Sequence, residues 1–404
     1  MISKKKAVVG AIIIVLLTAL LTVSVGNIVA LQLGQKVVIT KETYDYYKSV
    51  KDQHGKLLML KEYLNSNYYQ EIDDNALMEG AIKGMFESIG DPYTVYMDEK
   101  EFTELMTRTQ GTYGGIGVIV TPGEDGFVTV VSPIEDTPGE RAGLRTADKI
   151  THVDGERVYA DKLDLAVEKM KGKPGTKVKL TIGREGSEPF DVEIKREEIR
   201  LKTVKSEVLE DNIGYIRISM FDEKTAEDFK AQLSELEKKN IKGLVLDLRN
   251  NPGGLLSQCV EIADLLLGEQ VIVYTEDRAG NKEYERSNKA GVNYPLVLIV
   301  NKGSASASEI LAGAVKDGGQ GIILGTTTFG KGLVQQVKPL NDGTGFKYTV
   351  SQYFTPNGSN IHGLGIEPNV VVELPKELED AVTIERSKDT QLKRAIEEVK
   401  GKLK

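Results

Sequence analysis

Two apolar runs in the second half of the chain, GLVLDLR (Gly243 to Arg249) and YPLVLIV (Tyr294 to Val300), restrict its architecture more than any other feature. Neither alternates polar with apolar residues, so a strand built from either one buries both of its faces. That is the pattern of a mainly parallel sheet covered by helices on both sides. The segments between and beside them, AEDFKAQLSELEKKN, GLLSQCVEIADLLL and ASEILAGAVKDGG, carry helical spacing, and IGYIRIS (from Ile213) and GIILG supply further strands. The alternation predicts an α/β core interrupted by one polar excursion, EDRAGNKEYERSNKAG.

The preceding part of the chain has a different character. From Gly111 to Glu198 the runs GIGVIV, FVTVVS, KVKLTIGREG and FDVEIKR are short and separated by Gly and Pro, which predicts a small β-rich module. Before it, Leu77, Met78, Ala81, Ile82, Met85, Phe86 and Ile89 recur at helical spacing, and GDPY (Gly90 to Tyr93) ends that helix. A length of 404 residues exceeds one comfortable core. The expected division is a helical region at 41–110, the β module at 111–198, an α/β core at 199–374 and a charged helical segment at 375–404.

The N-terminus places Lys4, Lys5 and Lys6 before an uncharged apolar run from Ala7 to Leu33. A bilayer span needs about 20 such residues, and the lysines would remain cytoplasmic. Two readings stand: an uncleaved single-pass anchor, or a signal peptide cleaved near Ile28-Val29-Ala30. In both the bulk of the chain leaves the cytoplasm. The net charge of −8, without a basic domain, argues against a nucleic-acid partner. A single cysteine, Cys259, excludes an internal disulfide and reads as a small apolar residue of a buried helix. The three histidines, His54, His152 and His362, are scattered, so neither a metal nor another cofactor is expected.

Chemistry concentrates in NKGSASASEI, Asn301 to Ile310, which follows a strand and opens a helix near Ala307. Ser306 precedes Glu309 by the capping-box spacing, so its hydroxyl reads as a helix cap, with Ser304 and Ser308 as turn residues. The same position is also good for a nucleophile, because free N–H groups and the positive end of the helix dipole would stabilise an oxyanion. The core offers only His362, in IHGLGIEP, as an imidazole base, and no carboxylate partner lies beside it in sequence. Lys331, between Gly330 and Gly332, is either a solvated loop residue or a base. To act as a base it must lose its charge through burial, falling from about 10.4 toward about 7 or 8.

Together DLRNNPGG (Asp247 to Gly254), GSASASE (Gly303 to Glu309) and TFGKGLVQ (Thr328 to Gln335) resemble the carboxy-terminal processing peptidases, the tail-specific proteases of family S41. The resemblance runs from about Asp73 to Val372, with Lys331 following Ser306 by the family's 25 residues. It implies a crotonase-like catalytic core with Ser306 as nucleophile, Lys331 as general base and Gln335 as an amide that orients the lysine. It further implies oxyanion donors on the backbone of Ala307 and of Gly253 or Gly254, and a family position at Asp317. A straight strand would put Lys331 and Gln335 about 13 Å apart, so the orienting role calls for a helical turn after Lys331.

The β module is similar to a PDZ domain. YGGIGV (Tyr113 to Val118) looks like its carboxylate-binding loop, with Gly115, Ile116 and Gly117 holding a free C-terminus, and PGERAGLRTADKITHVDGERV (Pro138 to Val158) looks like the bacterial signature. Two residues depart from the pattern: Ala147 stands where the family often has glycine, and Lys171 where many relatives carry arginine. The resemblance implies a membrane-anchored extracytoplasmic serine endopeptidase acting on proteins or peptides with free C-termini. It also implies homodimerisation through the N-terminal helices and the segment from Pro375. The rival readings are an inactive PDZ adaptor that binds C-terminal peptides, a crotonase-type acyl-CoA enzyme, and a serine enzyme using His362 as base.

Overall fold

The computed structural model describes residues 4–32, 39–288, 290–378 and 384–403. Two compact units divide the chain, residues 1–82 and 83–404. In the first, the helix Lys4–Gln32 is long and apolar enough to cross a bilayer. The expected end of that run, Leu33, lies outside the described residues. The helix Lys41–Asn67 follows, begun by a Thr40 side chain that accepts the Thr43 N–H, and Lys61 pairs with Asp74 at 2.6 Å.

The second unit is built on a six-stranded sheet in the order 204–208, 213–218, 243–247, 296–300, 322–325, 370–371. Only the first pair is antiparallel. Strands Gly243–Asp247 and Leu296–Val300 are buried at every residue, and their alternate side chains enter two different cores. Leu244, Leu246, Leu296, Leu298 and Val300 meet the helices Thr225–Lys238, Leu256–Leu266 and Ala307–Asp317. Val245, Val297 and Ile299 face Leu392, Ala395, Ile396 and Val399 of the C-terminal helix Thr390–Lys402. The uninterrupted apolar runs therefore serve two layers at once.

That C-terminal helix is tied to the core. Its apolar stripe packs on the chain's own sheet, with Val399 so close to Gly243 that a Cβ there would lie 2.3 Å from Val399 Cγ1. The stripe is thus not free to receive a second copy. Arg249 anchors the helix from beneath, pairing with Asp247 at 2.6 Å and with Asp389, the helix N-cap, at 2.8 Å, all three side chains being buried. Residues 379–383 of the expected C-terminal segment lie outside the described residues.

A second sheet joins Val95–Met97 and Gln270–Asp277 to the long strand Gly345–Phe354, which also pairs with Leu333–Pro339. The β module forms its own sheet, ordered 118–122, 128–133, 149–153, 177–183, 190–195, around Val128, Ile150, Leu180 and Ile182. Its two ends enter and leave side by side, as Thr112–Gly115 pairs with Glu197–Arg200.

Ala147, which departs from the expected glycine, has a strained backbone. Its φ is +69°, in the left-handed region, which costs an L-residue roughly 1 to 2 kcal/mol. The turn is nevertheless kept, because Asp148 behind it is buried and holds Arg184 at 2.7 Å and the Arg145 N–H at 2.8 Å. Ala147 itself is exposed, so no packing opposes its replacement. Ala147→Gly is expected to stabilise the β module by about 0.5 to 1 kcal/mol, after the extra chain entropy of glycine is subtracted, read as a higher urea midpoint.

Candidate active site

The three serines of the opening stretch separate by what their hydroxyls touch. Ser304 and Ser308 are fully buried and donate to the carbonyls of Leu248 (2.8 Å) and Asn251 (3.0 Å). Asn301 and Asn250 add a paired contact at 2.8 and 2.9 Å, and the Ala305 N–H reaches the Asn251 carbonyl at 3.0 Å. These bonds stitch the serine loop to the Asn-Pro-Gly-Gly turn. Ser306 alone is partly exposed, at the N-cap of helix Ala307–Asp317, with φ of 53° and ψ of −116°. A non-glycine residue there is strained, and such strain is retained only where the surroundings enforce it.

The capping box is present, but its main partners are backbone. The Glu309 N–H lies 2.8 Å from the Ser306 carbonyl, while the Glu309 carboxylate accepts the Ser306 N–H at 2.9 Å. The hydroxyl is therefore not the principal cap of its helix.

Gly253 and Gly254 press against this corner. A Cβ on Gly253 would sit 2.8 Å from Ser306 Cβ and 2.9 Å from the Ala307 nitrogen, and one on Gly254 would sit 2.1 Å from the Phe221 carbonyl oxygen. Both have positive φ, so only glycine fits. Their amides differ. The Gly253 N–H, expected with that of Gly254 as an oxyanion donor, is held by Asn251 Oδ1 at 2.9 Å. The N–H groups of Gly254 and Ala307 have no acceptor among the described residues.

Lys331 is brought to the site by Glu309, whose side chain is fully buried. One carboxylate oxygen accepts the N–H groups of Ser306 and Lys331 (2.9 and 2.8 Å), the other the Gly330 N–H (2.7 Å) and the Thr328 hydroxyl (2.6 Å). Tyr353, also buried, donates to the carbonyls of Lys331 and Ser306. Four donors around one carboxylate offset much of the cost of burying it.

The Lys331 side chain is partly buried, with its ammonium 4.6 Å from the centre of the Tyr93 ring. It makes no hydrogen bond to Ser306 among the described residues. Burial, and then the like charge of Lys347, hold the ammonium below the usual lysine range, against the opposing pull of Asp91 and Glu309.

Other expected residues fall in different places. Gln335 lies in the strand Leu333–Pro339, so the helical turn after Lys331 does not form, because this backbone pairs with Gly345–Phe354 instead. A register irregularity between Val334 and Gln335 locally changes the aim of the side chains, and the Gln335 amide nitrogen is buried without a partner. Asp317 ends the serine helix and accepts the Asn357 N–H at 3.0 Å, a structural contact. The His362 side chain is exposed, and its backbone packs against Gly332. Cys259 is buried and donates to the Ala307 carbonyl at 3.1 Å, with burial pushing its thiol far up.

In the β module, the Ile116 carbonyl accepts the Gly139 N–H at 2.6 Å, and the Gly117 carbonyl accepts the Ile134 N–H and the Thr137 hydroxyl, each at 2.9 Å. The N–H groups of Ile116 and Gly117 have no acceptor among the described residues. Gly115 pairs with Glu197, and the strand that follows, Val118–Pro122, is an edge of its sheet. Lys171 lies with its ammonium 5.3 Å from the Tyr113 ring centre.

Residues 212–372 match the model of peptidase family S41, residues 114–195 that of a PDZ domain, and residues 25–101 that of the activating protease CtpB N-terminal domain. The chain is 40% identical over 345 residues to the carboxy-terminal processing protease CtpA of Bacillus subtilis (strain 168), covering 85% of this chain and 72% of that protein. It is 41% identical over 322 residues to the carboxy-terminal-processing protease of Bartonella bacilliformis, covering 78% and 74%. It is also 42% identical over 320 residues to CtpB of the same Bacillus strain, covering 78% and 66%. The chain belongs to the carboxy-terminal processing proteases of family S41. It is a serine-type peptidase with a PDZ domain.

Two groups at the corner of this protease were not legible as site residues. Glu309 reads in sequence as a capping residue, although an acid followed by the apolar helix ILAGAV was a signal of burial. The Asp91–Tyr93 loop carries no local signal, because it lies far upstream and meets Lys331 only in space. Glu309→Gln replaces an acceptor oxygen by an N–H₂ group facing backbone donors. It is expected to lower kcat about 100-fold with Ser306 and Lys331 intact, measured on a peptide substrate.

Proposed function

We propose that the chain is a membrane-anchored, extracytoplasmic endopeptidase that hydrolyses polypeptides with a Ser306/Lys331 dyad after its PDZ domain captures their free C-termini. The observation that carries this reading is the convergence at one corner of a strained, accessible serine, two unoccupied N–H groups and a desolvated lysine. Ser306 Oγ attacks the scissile carbonyl. The Gly254 and Ala307 N–H groups, the latter at a helix N-terminus, receive the oxyanion. Lys331 takes the hydroxyl proton, returns it to the leaving amine and later activates water. Its side chain must swing from the Tyr93 ring toward Ser306 to do so. Gln335, with its unpartnered amide, orients the lysine in that second position.

The C-terminus of the substrate meets the N–H groups of Ile116 and Gly117, with Gly115 leading the chain into the loop, and its last residues add to the open edge Val118–Pro122. The catalytic core is of crotonase-like type with the PDZ module inserted at 111–198, between the helical region 41–110 and the core 199–374. Lys4–Gln32 is the anchor, with Lys4, Lys5 and Lys6 on the cytoplasmic side. The helix Lys41–Asn67 buries none of its residues and exposes Tyr47, Met59 and Tyr63, which supports homodimerisation through the N-terminal helices. The rival adaptor reading leaves the strain at Ser306 and the buried Glu309 without a purpose.

Two measurements test the reading. Ser306→Ala and Lys331→Ala should each lower cleavage of a C-terminally tailed peptide by about 1,000-fold or more, and amidating the peptide's C-terminus should raise KM while leaving kcat nearly unchanged. Activity retained in Lys331→Ala and lost in His362→Ala would instead assign the base to the histidine. The second measurement concerns pH. The like charge of Lys347 eases proton loss from Lys331, so Lys347→Ala favours the ammonium and is expected to move the acid limb of kcat/KM to higher pH.

A further inference from the structure

In sequence the loop Gly90–Thr94 does no more than end a helix. In the fold it is pinned against the catalytic corner. The Asp91 carboxylate accepts the Tyr93 N–H at 2.9 Å, the Thr94 hydroxyl at 2.7 Å and the Thr349 hydroxyl at 2.5 Å, and the Thr349 N–H reaches the Thr94 hydroxyl at 3.1 Å. Thr349 belongs to the long strand Gly345–Phe354, which also carries Tyr353 and Lys347. The loop is thereby fixed on the same sheet that supports Lys331. The fixed element presents the Tyr93 ring to the Lys331 ammonium, 4.6 Å from the ring centre.

This contact differs from ordinary packing in one respect. The Lys331 ammonium finds no hydrogen-bond acceptor among the described residues, so the electron-rich ring face is the close group that compensates its lost water. The charged groups around it are Asp91 from the loop, Glu309 from the serine helix and Lys347 from the long strand, while His362 acts on Asp91. The Tyr353 phenol, held protonated by burial, bonds the lysine's carbonyl rather than its amine. A ring attracts the ammonium and has little hold on the neutral amine, which makes the contact dependent on the proton.

We propose that Tyr93 is a positioning residue for Lys331, its ring docking the ammonium of the resting enzyme and releasing the neutral amine toward Ser306. The second half of the statement rests on Lys331 being the general base. The docking itself does not, and the two are separable by experiment.

The test compares the full chain with Tyr93→Phe, which keeps a ring, and with Tyr93→Leu and Tyr93→Met, which keep bulk without one. Trace acetylation with acetic anhydride across a pH series, read by mass spectrometry, reports the neutral fraction of Lys331 when normalised to its rate at high pH. Losing the ring should raise that normalised rate about two- to fivefold on the acid side in the Leu and Met variants, while Tyr93→Phe stays at the wild-type value. Equal behaviour of Phe, Leu and Met, or no change in any of them, overturns the docking. The acid limb of kcat/KM should follow the same order. If the acetylation rates change as expected but the acid limb does not, Tyr93 docks the lysine, and Lys331 is not the base.

Discussion

A single buried carboxylate holds the corner of Ser306 and Lys331 together. Glu309 binds the backbone of Ser306 with one oxygen while both oxygens gather the chain from Thr328 to Lys331. Those two segments end consecutive parallel strands, Leu296–Val300 and Ile322–Gly325, and nothing in the pairing of the strands would set the loops beyond them in register. A charge without water must be surrounded by donors, and the nearest donors are the amides of both loops. The cost of burial therefore becomes a geometric constraint: the serine and the lysine loop have one arrangement in which the carboxylate is satisfied.

Around that tie the corner is closed by contact. Ser304 and Ser308 bind the turn that leads to Gly253 and Gly254, and the two glycines approach too closely for any side chain. The φ of 53° at Ser306 is the consequence. Its neighbours are buried and bonded on both sides, so the strain cannot relax, and the hydroxyl remains in partial contact with solvent. Three serines at alternate positions thus divide between two that fasten the loop and one left accessible. This corner lies within the part of the chain that matches peptidase family S41.

Much of this framework was legible in the chain. The runs GLVLDLR and YPLVLIV required a sheet covered on both faces, and the helix after NKGSAS begins at Ala307, as its cap spacing suggests. Other features were not, for reasons of distance. Sequence spacing led to a helical turn between Lys331 and Gln335, yet pairing with a strand several residues later extends that segment. The Gly253 amide looked as available as that of Gly254 until Asn251 turned back to bind it. Arg249 and Asp389, 140 residues apart, fasten the charged C-terminal segment to the core, a contact that no local pattern announces.

By itself the sequence determined the alternation of strands and helices, the apolar N-terminal helix, and which residue types stand at the serine-rich loop before Ala307. These follow from local rules, the periodicity of burial and the capping of helix ends, which act over a few residues. Tertiary structure alone decided which serine is accessible, which amides are left without an acceptor, and that Tyr93 faces Lys331. These depend on contacts between segments far apart in the chain, and only close packing around a buried charge brings such segments to within hydrogen-bonding distance.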